Sequence, residues 1–104
     1  MKVTKTVKET RDLIKNWKRE GKTIGLVPTM GFLHEGHASL IKRCREENDI
    51  VVVSDFVNPT QFGPTEDLEA YPRDFKRDSE LCESLGADVI FHPEPEDMYH
   101  DPHA

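Results

Sequence analysis

Apolar and polar positions along the chain follow two periods in turn. Over residues 7–17 the apolar side chains are Val7, Leu13, Ile14 and Trp17, a narrow stripe on one face of a helix, and the other positions are mostly charged. Thr6, with Glu9 three residues on, reads as a capping box, and Gly21 ends the segment, so a helix is predicted over residues 6–20 with Trp17 as its core anchor. Residues 23–27 form a short apolar run that reads as a buried strand. Pro28 cannot donate to a ladder and is expected to close it. The helical period returns over residues 38–48, with Leu40, Ile41 and Cys44 predicted inward and Lys42, Arg43, Arg45 and Glu46 outward. Residues 49–54 are continuous and β-branched, as in a parallel strand covered on both faces. Asp74 is placed to cap a third helix that turns Phe75, Leu81, Cys82 and Leu85 inward and stops at Gly86, and residues 87–91 read as a further strand. Beyond it, Pro93 and Pro95 break the chain, and residues 94–98 have room for one helical turn.

The predicted order is one helix followed by β-α-β-α-β. That is half of a doubly wound parallel sheet, an α/β fold in three α/β/α layers of the Rossmann-like kind. Ligands of such sheets bind outside the carboxyl ends of the strands. The loops over residues 28–37 and 56–63 both leave carboxyl ends, and they line one crevice if their strands are neighbours. Residues 58–73 are rich in proline, glycine and polar side chains, and a loop of that length in a small domain is usually functional or mobile.

Composition narrows the classes. With 104 residues one domain is expected. Acidic residues outnumber basic ones by 20 to 14, for a net charge of −6, which argues against a nucleic-acid footprint. It does not argue against ATP, because a local loop and helix end can hold phosphate whatever the net charge. No apolar run approaches membrane-spanning length, and the first residues lack the apolar core of a signal peptide. Cys44 and Cys82 stand far apart, each on the apolar stripe of a predicted helix, so free buried thiols and a cytoplasmic setting are expected. His100 and His103 belong to a terminal stretch that reads as frayed rather than as a metal site.

The chemistry concentrates in Val27-Pro28-Thr29-Met30-Gly31-Phe32-Leu33-His34-Glu35-Gly36-His37, where a strand turns into a helix. The first N–H groups of a helix have no partner within it, and the helix dipole favours negative charge there, so a phosphate fits. Gly31 and Gly36 let the backbone bend and approach a ligand. His34 and His37, three apart, share a face if both lie in the first helical turn. A zinc site is disfavoured: the zincin pattern needs four-residue spacing between its histidines, and no third ligand is near. No metal ligand is assigned.

These residues resemble a known family. Pro28-Thr29-Met30-Gly31, Leu33-His34-Glu35-Gly36-His37, Phe56-Val57-Asn58-Pro59, Gln61-Phe62-Gly63, Glu66-Asp67-Leu68, Tyr71-Pro72-Arg73 and Met98-Tyr99 occur in the order found in pantothenate synthetases (pantoate–β-alanine ligases). The paired-histidine loop alone suggests only a nucleotidyl-transfer superfamily; the Asn-Pro-x-Gln-Phe-Gly loop narrows the resemblance to this family. It implies a nucleotidylyltransferase-like fold. It also implies a ligase that forms pantoyl adenylate and pyrophosphate from pantoate and ATP, then pantothenate and AMP on attack by β-alanine. His37 and His34 are the catalytic residues implied, with His37 as the proton donor. Met30, Gly31, Phe32, Leu33, His34, Glu35, Gly36 and His37 are implied to bind ATP, largely through backbone N–H groups. Gln61, Asn58 and Met30 are implied to hold pantoate and β-alanine. Mg²⁺ comes with the nucleotide; Asp78 is a candidate to approach it, although an Asp on a helix surface is more often simply solvated. Family subunits pair through this region, so a homodimer is implied.

Two residues depart from the family pattern. Asp55 stands where an apolar residue is usual, and a buried unpaired carboxylate is costly, so it must find a partner, lie at an exposed strand end, or weaken the protein. Phe32 replaces a smaller residue and is expected only to fill the loop floor. Family members are also much longer, with a second nucleotide loop and a C-terminal domain. The 104 residues are therefore expected to be the N-terminal part of the ATP-binding domain without the C-terminal domain, and weak or inactive alone. Two alternatives stand beside this reading: another nucleotidylyltransferase of the superfamily, and a non-catalytic folding or dimerisation unit.

Overall fold

The computed structural model describes residues 1–31, 33–56 and 75–93. Phe32, Asn58, Gln61, the Asp74 cap and the pattern residues over 57–74 and 94–104 lie outside them. The elements are β1 (Lys2–Thr4), α1 (Val7–Arg19), β2 (Ile24–Thr29), α2 (Glu35–Glu47), β3 (Ile50–Asp55), α3 (Phe75–Ser84) and β4 (Val89–Phe91). The strands form one sheet in the order β1-β4-β3-β2, every pair parallel.

Alternation along the strands builds the two cores. Val51, Val53 and Ile90 face α2 and α3, where they pack with Leu33, Ile41 and Cys82. Ile50, Val52 and Val89 face the other way, against Leu13, Ile14 and Trp17 of α1. A strand that buries both faces must be apolar along the covered stretch, as β3 is from Ile50 to Val53. The outcome is the expected α/β/α layering, with α1 on one side of the sheet and α2 and α3 on the other.

Helix ends follow their sequence signals. Thr6 caps α1, its Oγ1 accepting from Glu9 N–H at 3.1 Å, while the Glu9 carboxylate reaches back to Lys5 N–H instead of completing the box on Thr6. Gly21 and Gly86 follow α1 and α3 with φ of 81° and 90°.

Several expectations are corrected. Lys2–Thr4 is a strand: too short to show a period, it is held by its ladder to β4 and by a buried hydroxyl contact. Pro28 lies inside β2, opposite Ser54. Among the described residues β2 is an edge strand, and its outer row of N–H groups has no strand partner for a proline to disrupt. The helix at 38–48 begins at Glu35, because His34 caps it. Leu40 is 58% exposed rather than inward and lines a groove with Leu26 and Pro28 beside β2. Arg45 also does not simply face solvent: it binds the Asp88 carboxylate at 2.8 Å and the Gly86 carbonyl at 3.2 Å, tying α2 to the start of β4.

The buried contact on β1 yields a prediction. Thr10 Oγ1 donates to the Thr6 carbonyl at 2.9 Å, so Thr4 is the donor in the 2.7 Å Thr4–Thr10 bond. Thr10→Val leaves the Thr4 hydroxyl without that acceptor. A loss of about 1–2 kcal/mol is expected, read as a lower urea midpoint with unchanged slope.

Candidate functional site: the histidine turn between β2 and α2

The end of β2 is pinned before the chain turns. Thr29 Oγ1 donates to the Ser54 carbonyl at 2.9 Å and accepts from Gly31 N–H at 3.2 Å. Phe56 N–H donates to the Thr29 carbonyl, which holds the ends of β2 and β3 together. Gly31 turns the chain with φ of 86°, where a β-carbon is strained. A side chain there would also meet Asp55 Oδ1 at 2.7 Å, so this glycine answers to the protein's own packing.

Leu33 is fully buried, and its N–H donates to Asp78 Oδ1 at 2.8 Å. Asp78 is 1% exposed, so the expectation of a solvated carboxylate is wrong: α3 brings this side chain across to the turn. Asp55 is 5% exposed, which sets aside the option of an open strand end. Burial pushes its carboxyl above the ordinary range; the His92 ring opposes that and the charge of Asp78 adds to it. Among the described residues, no buried side-chain nitrogen or oxygen lacks a hydrogen-bond partner.

The two histidines cap α2 reciprocally. His34 is the N-cap, and its Nδ1 accepts from Gly36 N–H at 3.1 Å. His37 Nδ1 accepts from His34 N–H at 3.2 Å. The ring centroids are 4.2 Å apart and tilted by 53°. An Nδ1 that accepts carries no proton, so in each neutral ring the proton sits on Nε2. The cap thus fixes both tautomers and leaves each ring one Nε2–H donor. His34 is exposed and His37 half-buried. Burial pushes the His37 imidazole below its ordinary value; the nearby His34 ring adds to this and Asp78 opposes it.

This arrangement relocates the donors expected of the turn. The N–H groups of Gly31, Leu33, His34 and Gly36 are already bound within the protein. An anion at this helix end would therefore meet the two ring Nε2–H groups and the helix dipole more than a row of backbone amides. Met30, half-buried, enters the turn from β2, and Glu35 opens α2. Asn58 and Gln61, the expected substrate residues, lie outside the described residues.

Two residues near the carboxyl ends of the strands were missed in these roles by the sequence: Asp78, described above, and His92. His92 follows β4, donates from Nδ1 to the Asp55 carbonyl at 3.0 Å, and stacks on Phe75 with centroids 4.3 Å apart. Its place just past a strand end is the signal that could have found it. Cys82, fully buried below Asp78 and Asp55, is pushed up to about 12 by burial and by both carboxylates, so it remains a thiol; Cys44 is also free. Among the described residues, no group of three or more His, Cys, Asp or Glu side chains is arranged to hold a metal ion.

The cap has a pH consequence. His37 has a folded value below its unfolded one, so the unfolded chain takes up the proton first as pH falls. The stability tied to the neutral ring is complete above about pH 6.5 and is lost as pH drops through the folded value. The difference in unfolding free energy between wild type and His37→Gln should shrink from about pH 7.5 to about 5.5, read by urea titration at each pH. A constant difference would show that the ring does not cap as a neutral acceptor.

The pantoate-beta-alanine ligase family profile matches residues 2–103. A pantothenate synthetase of Clostridium acetobutylicum is 58% identical over 101 residues, covering 97% of this chain and 36% of the relative. One from Bacillus licheniformis is 64% identical over 94 residues, covering 90% and 33%. The crystal structure of pantothenate synthetase from Thermus thermophilus superposes with a TM-score of 0.87 at 46% identity, over 100% of this chain and 36% of that one. The Francisella tularensis pantoate-beta-alanine ligase, complexed with beta-gamma ATP and beta-alanine, gives a TM-score of 0.87 at 44% identity, over 97% and 38%. The chain therefore spans about a third of the length of the relatives it matches. By profile, identity and fold together, it belongs to the pantoate–beta-alanine ligase family.

Proposed function

We propose that these 104 residues form the N-terminal part of the ATP-binding domain of a ligase that condenses pantoate with β-alanine. The observation that carries the proposal is the reciprocal histidine cap, which leaves two Nε2–H donors side by side at a helix N-terminus. Support comes from the Francisella tularensis relative, described in complex with ATP and β-alanine.

The chemistry follows from charge. The pantoate carboxylate attacks the α-phosphorus of ATP, the bond to the bridging oxygen breaks, and pyrophosphate leaves with its electron pair. Negative charge builds on phosphate oxygens as this happens. Pre-aimed neutral donors stabilise it without a change of solvent at the moment of reaction. His34 and His37 supply those donors, and the lowered value of His37 keeps its ring in the required neutral tautomer. The β-alanine amine then attacks the acyl carbon of the adenylate, AMP leaves, and the amine gives up a proton. Asn58 and Gln61 hold pantoate and β-alanine in this reading, with Met30 at the shared edge of the two sites. Mg²⁺ carried on the triphosphate would draw charge off the phosphate oxygens; among the described residues no group of three or more His, Cys, Asp or Glu side chains is arranged to hold it.

The remainder of the clamp is assigned to the part of the relatives that this chain does not span. ATP should therefore bind this chain weakly. A cytoplasmic setting is supported by two free thiols. Among the described residues no helix is long and apolar enough to cross a membrane. A homodimer is supported by the edge position of β2 and by Leu26 and Leu40, 62% and 58% exposed beside it, and sedimentation equilibrium reads it directly. The test of the function is AMP release from ATP, pantoate and β-alanine by a protein that carries this chain within a relative's full length. AMP formed only when both acids are present supports the ligase. Nucleotidyl transfer to a phosphate-bearing acceptor, with no AMP from these substrates, overturns it.

A further inference from the structure

Asp78 is a buried carboxyl group that the reaction leaves unused. It lies 45 positions from Leu33 along the chain, yet its Oδ1 takes the Leu33 N–H at 2.8 Å in a buried bond. The half-exposed Arg77 guanidinium approaches the same oxygen at 3.5 Å. Oδ2 of Asp78 lies 3.5 Å from the point a Gly31 β-carbon would occupy, so one carboxylate borders both residues that set the path of the turn. Leu33 is the last residue before the N-cap. Fixing its N–H fixes the peptide that enters Leu33, one residue before the His34 N–H that orients the His37 ring.

We propose that Asp78 is a positioning residue for the histidine turn: from α3 it holds the Leu33 N–H in place, and through the backbone from Leu33 to the His34 N–H it sets the direction and tautomer of the His37 ring. This rests on the reading of the turn as a nucleotide seat, and it adds a link to that reading. Helix α3 follows the segment that carries Asn58 and Gln61, so the same helix that bounds the proposed acid-binding segment also braces the nucleotide turn. Asp78 does not touch the phosphates in this account. Spending its charge on a backbone N–H keeps a carboxylate beneath an anion seat from facing the anion.

Asp55 shares the space under Gly31 but plays a different part. Its Oδ1 is the atom nearest the Gly31 β-position, so it limits what fits at residue 31. Its backbone carbonyl is held by His92. These contacts lead to residue 31 and to the end of β4 rather than to the backbone at residues 33 and 34, so the direction of the His37 ring is assigned to Asp78.

The test uses this chain, labelled with ¹⁵N, as wild type, Asp78→Ala, Asp78→Asn and Cys82→Ala. Cys82 is buried on the same helix one turn on, so its variant controls for general loosening of α3. In Asp78→Ala, amide exchange at Leu33 and His34 should rise about tenfold or more over that in Cys82→Ala. The His37 ring nitrogens should move from the Nε2–H pattern toward an average of the two tautomers. Asp78→Asn keeps an acceptor and should restore the ring pattern, while the Leu33 amide proton moves upfield as its bond loses charge assistance. If Asp78→Ala does not fold, that Leu33 shift in Asp78→Asn decides the matter, and a wild-type value there overturns the proposal. Ring signals unchanged in Asp78→Ala, or changed equally in Cys82→Ala, overturn it as well. All of these readings are taken without ATP. A failure of the nucleotide reading shows separately, as wild-type rings that do not respond when ATP is added.

Discussion

Gly31→Ala is expected to destabilise the chain by roughly 2–4 kcal/mol, the largest effect of any single methyl group in the turn. Two causes add. The backbone at residue 31 has φ of 86°, which a β-carbon disfavours, and the new methyl group would sit 2.7 Å from Asp55 Oδ1. The second cause can be removed separately. In Gly31→Ala combined with Asp55→Ala, the steric part should return, about 1 kcal/mol or more, while the cost of the backbone angle stays. Urea unfolding of the two single variants and the double variant gives the coupling directly. Strict additivity would mean that the carboxyl group moves aside freely and that packing is not what requires glycine at this position.

His37→Ala is expected to lose the response to ATP, with affinity down about tenfold or more, at a stability cost of only about 1 kcal/mol. The stability cost is that of a helix cap, since His37 Nδ1 accepts the His34 N–H. The affinity cost is larger because one of the two ring donors is gone, and the His34 ring, held by the Gly36 N–H, is left to meet the phosphates alone. His37→Asn separates these effects. Its side-chain oxygen can take the same N–H, so it should recover most of the stability, while its shorter amide leaves the ring's donor position empty and ATP affinity stays low. Calorimetric ATP titrations beside thermal unfolding read both quantities. Full recovery of ATP affinity in His37→Asn would mean that the ring acts only as a cap.

The layered fold was legible because β3 is continuously apolar from Ile50 to Val53 and α1 carries one narrow stripe; both patterns have one sensible burial. The histidine turn was legible from its spacing, and the family from two loops whose patterns occur in order. Tertiary facts were not legible. Three residues of β1 carry no period, and the strand is recognised only by its pairing with β4. Pro28 read as a stop because its position on an edge strand depends on sheet order. Leu40 read as core because it shares a helical stripe with Ile41 and Cys44, whereas among the described residues β2 beside it is the edge of the sheet and leaves Leu40 at the rim. Asp78 read as solvated because its partner, a backbone N–H, has no sequence signature at all. The same is true of the turn's amides: glycines suggested open backbone donors, and only the folded chain reveals them already engaged.

The most direct measurement is a titration of ATP into ¹⁵N-labelled chain, following the ring Nε2 signals of His34 and His37 together with the Trp17 indole. Trp17 packs on the opposite face of the sheet and reports any general change in the protein. The two rings should move together along one saturable curve while Trp17 stays still. Rings that stay in place at saturating ATP, or that move only as much as Trp17 does, would contradict the assignment of the histidine turn as the nucleotide seat.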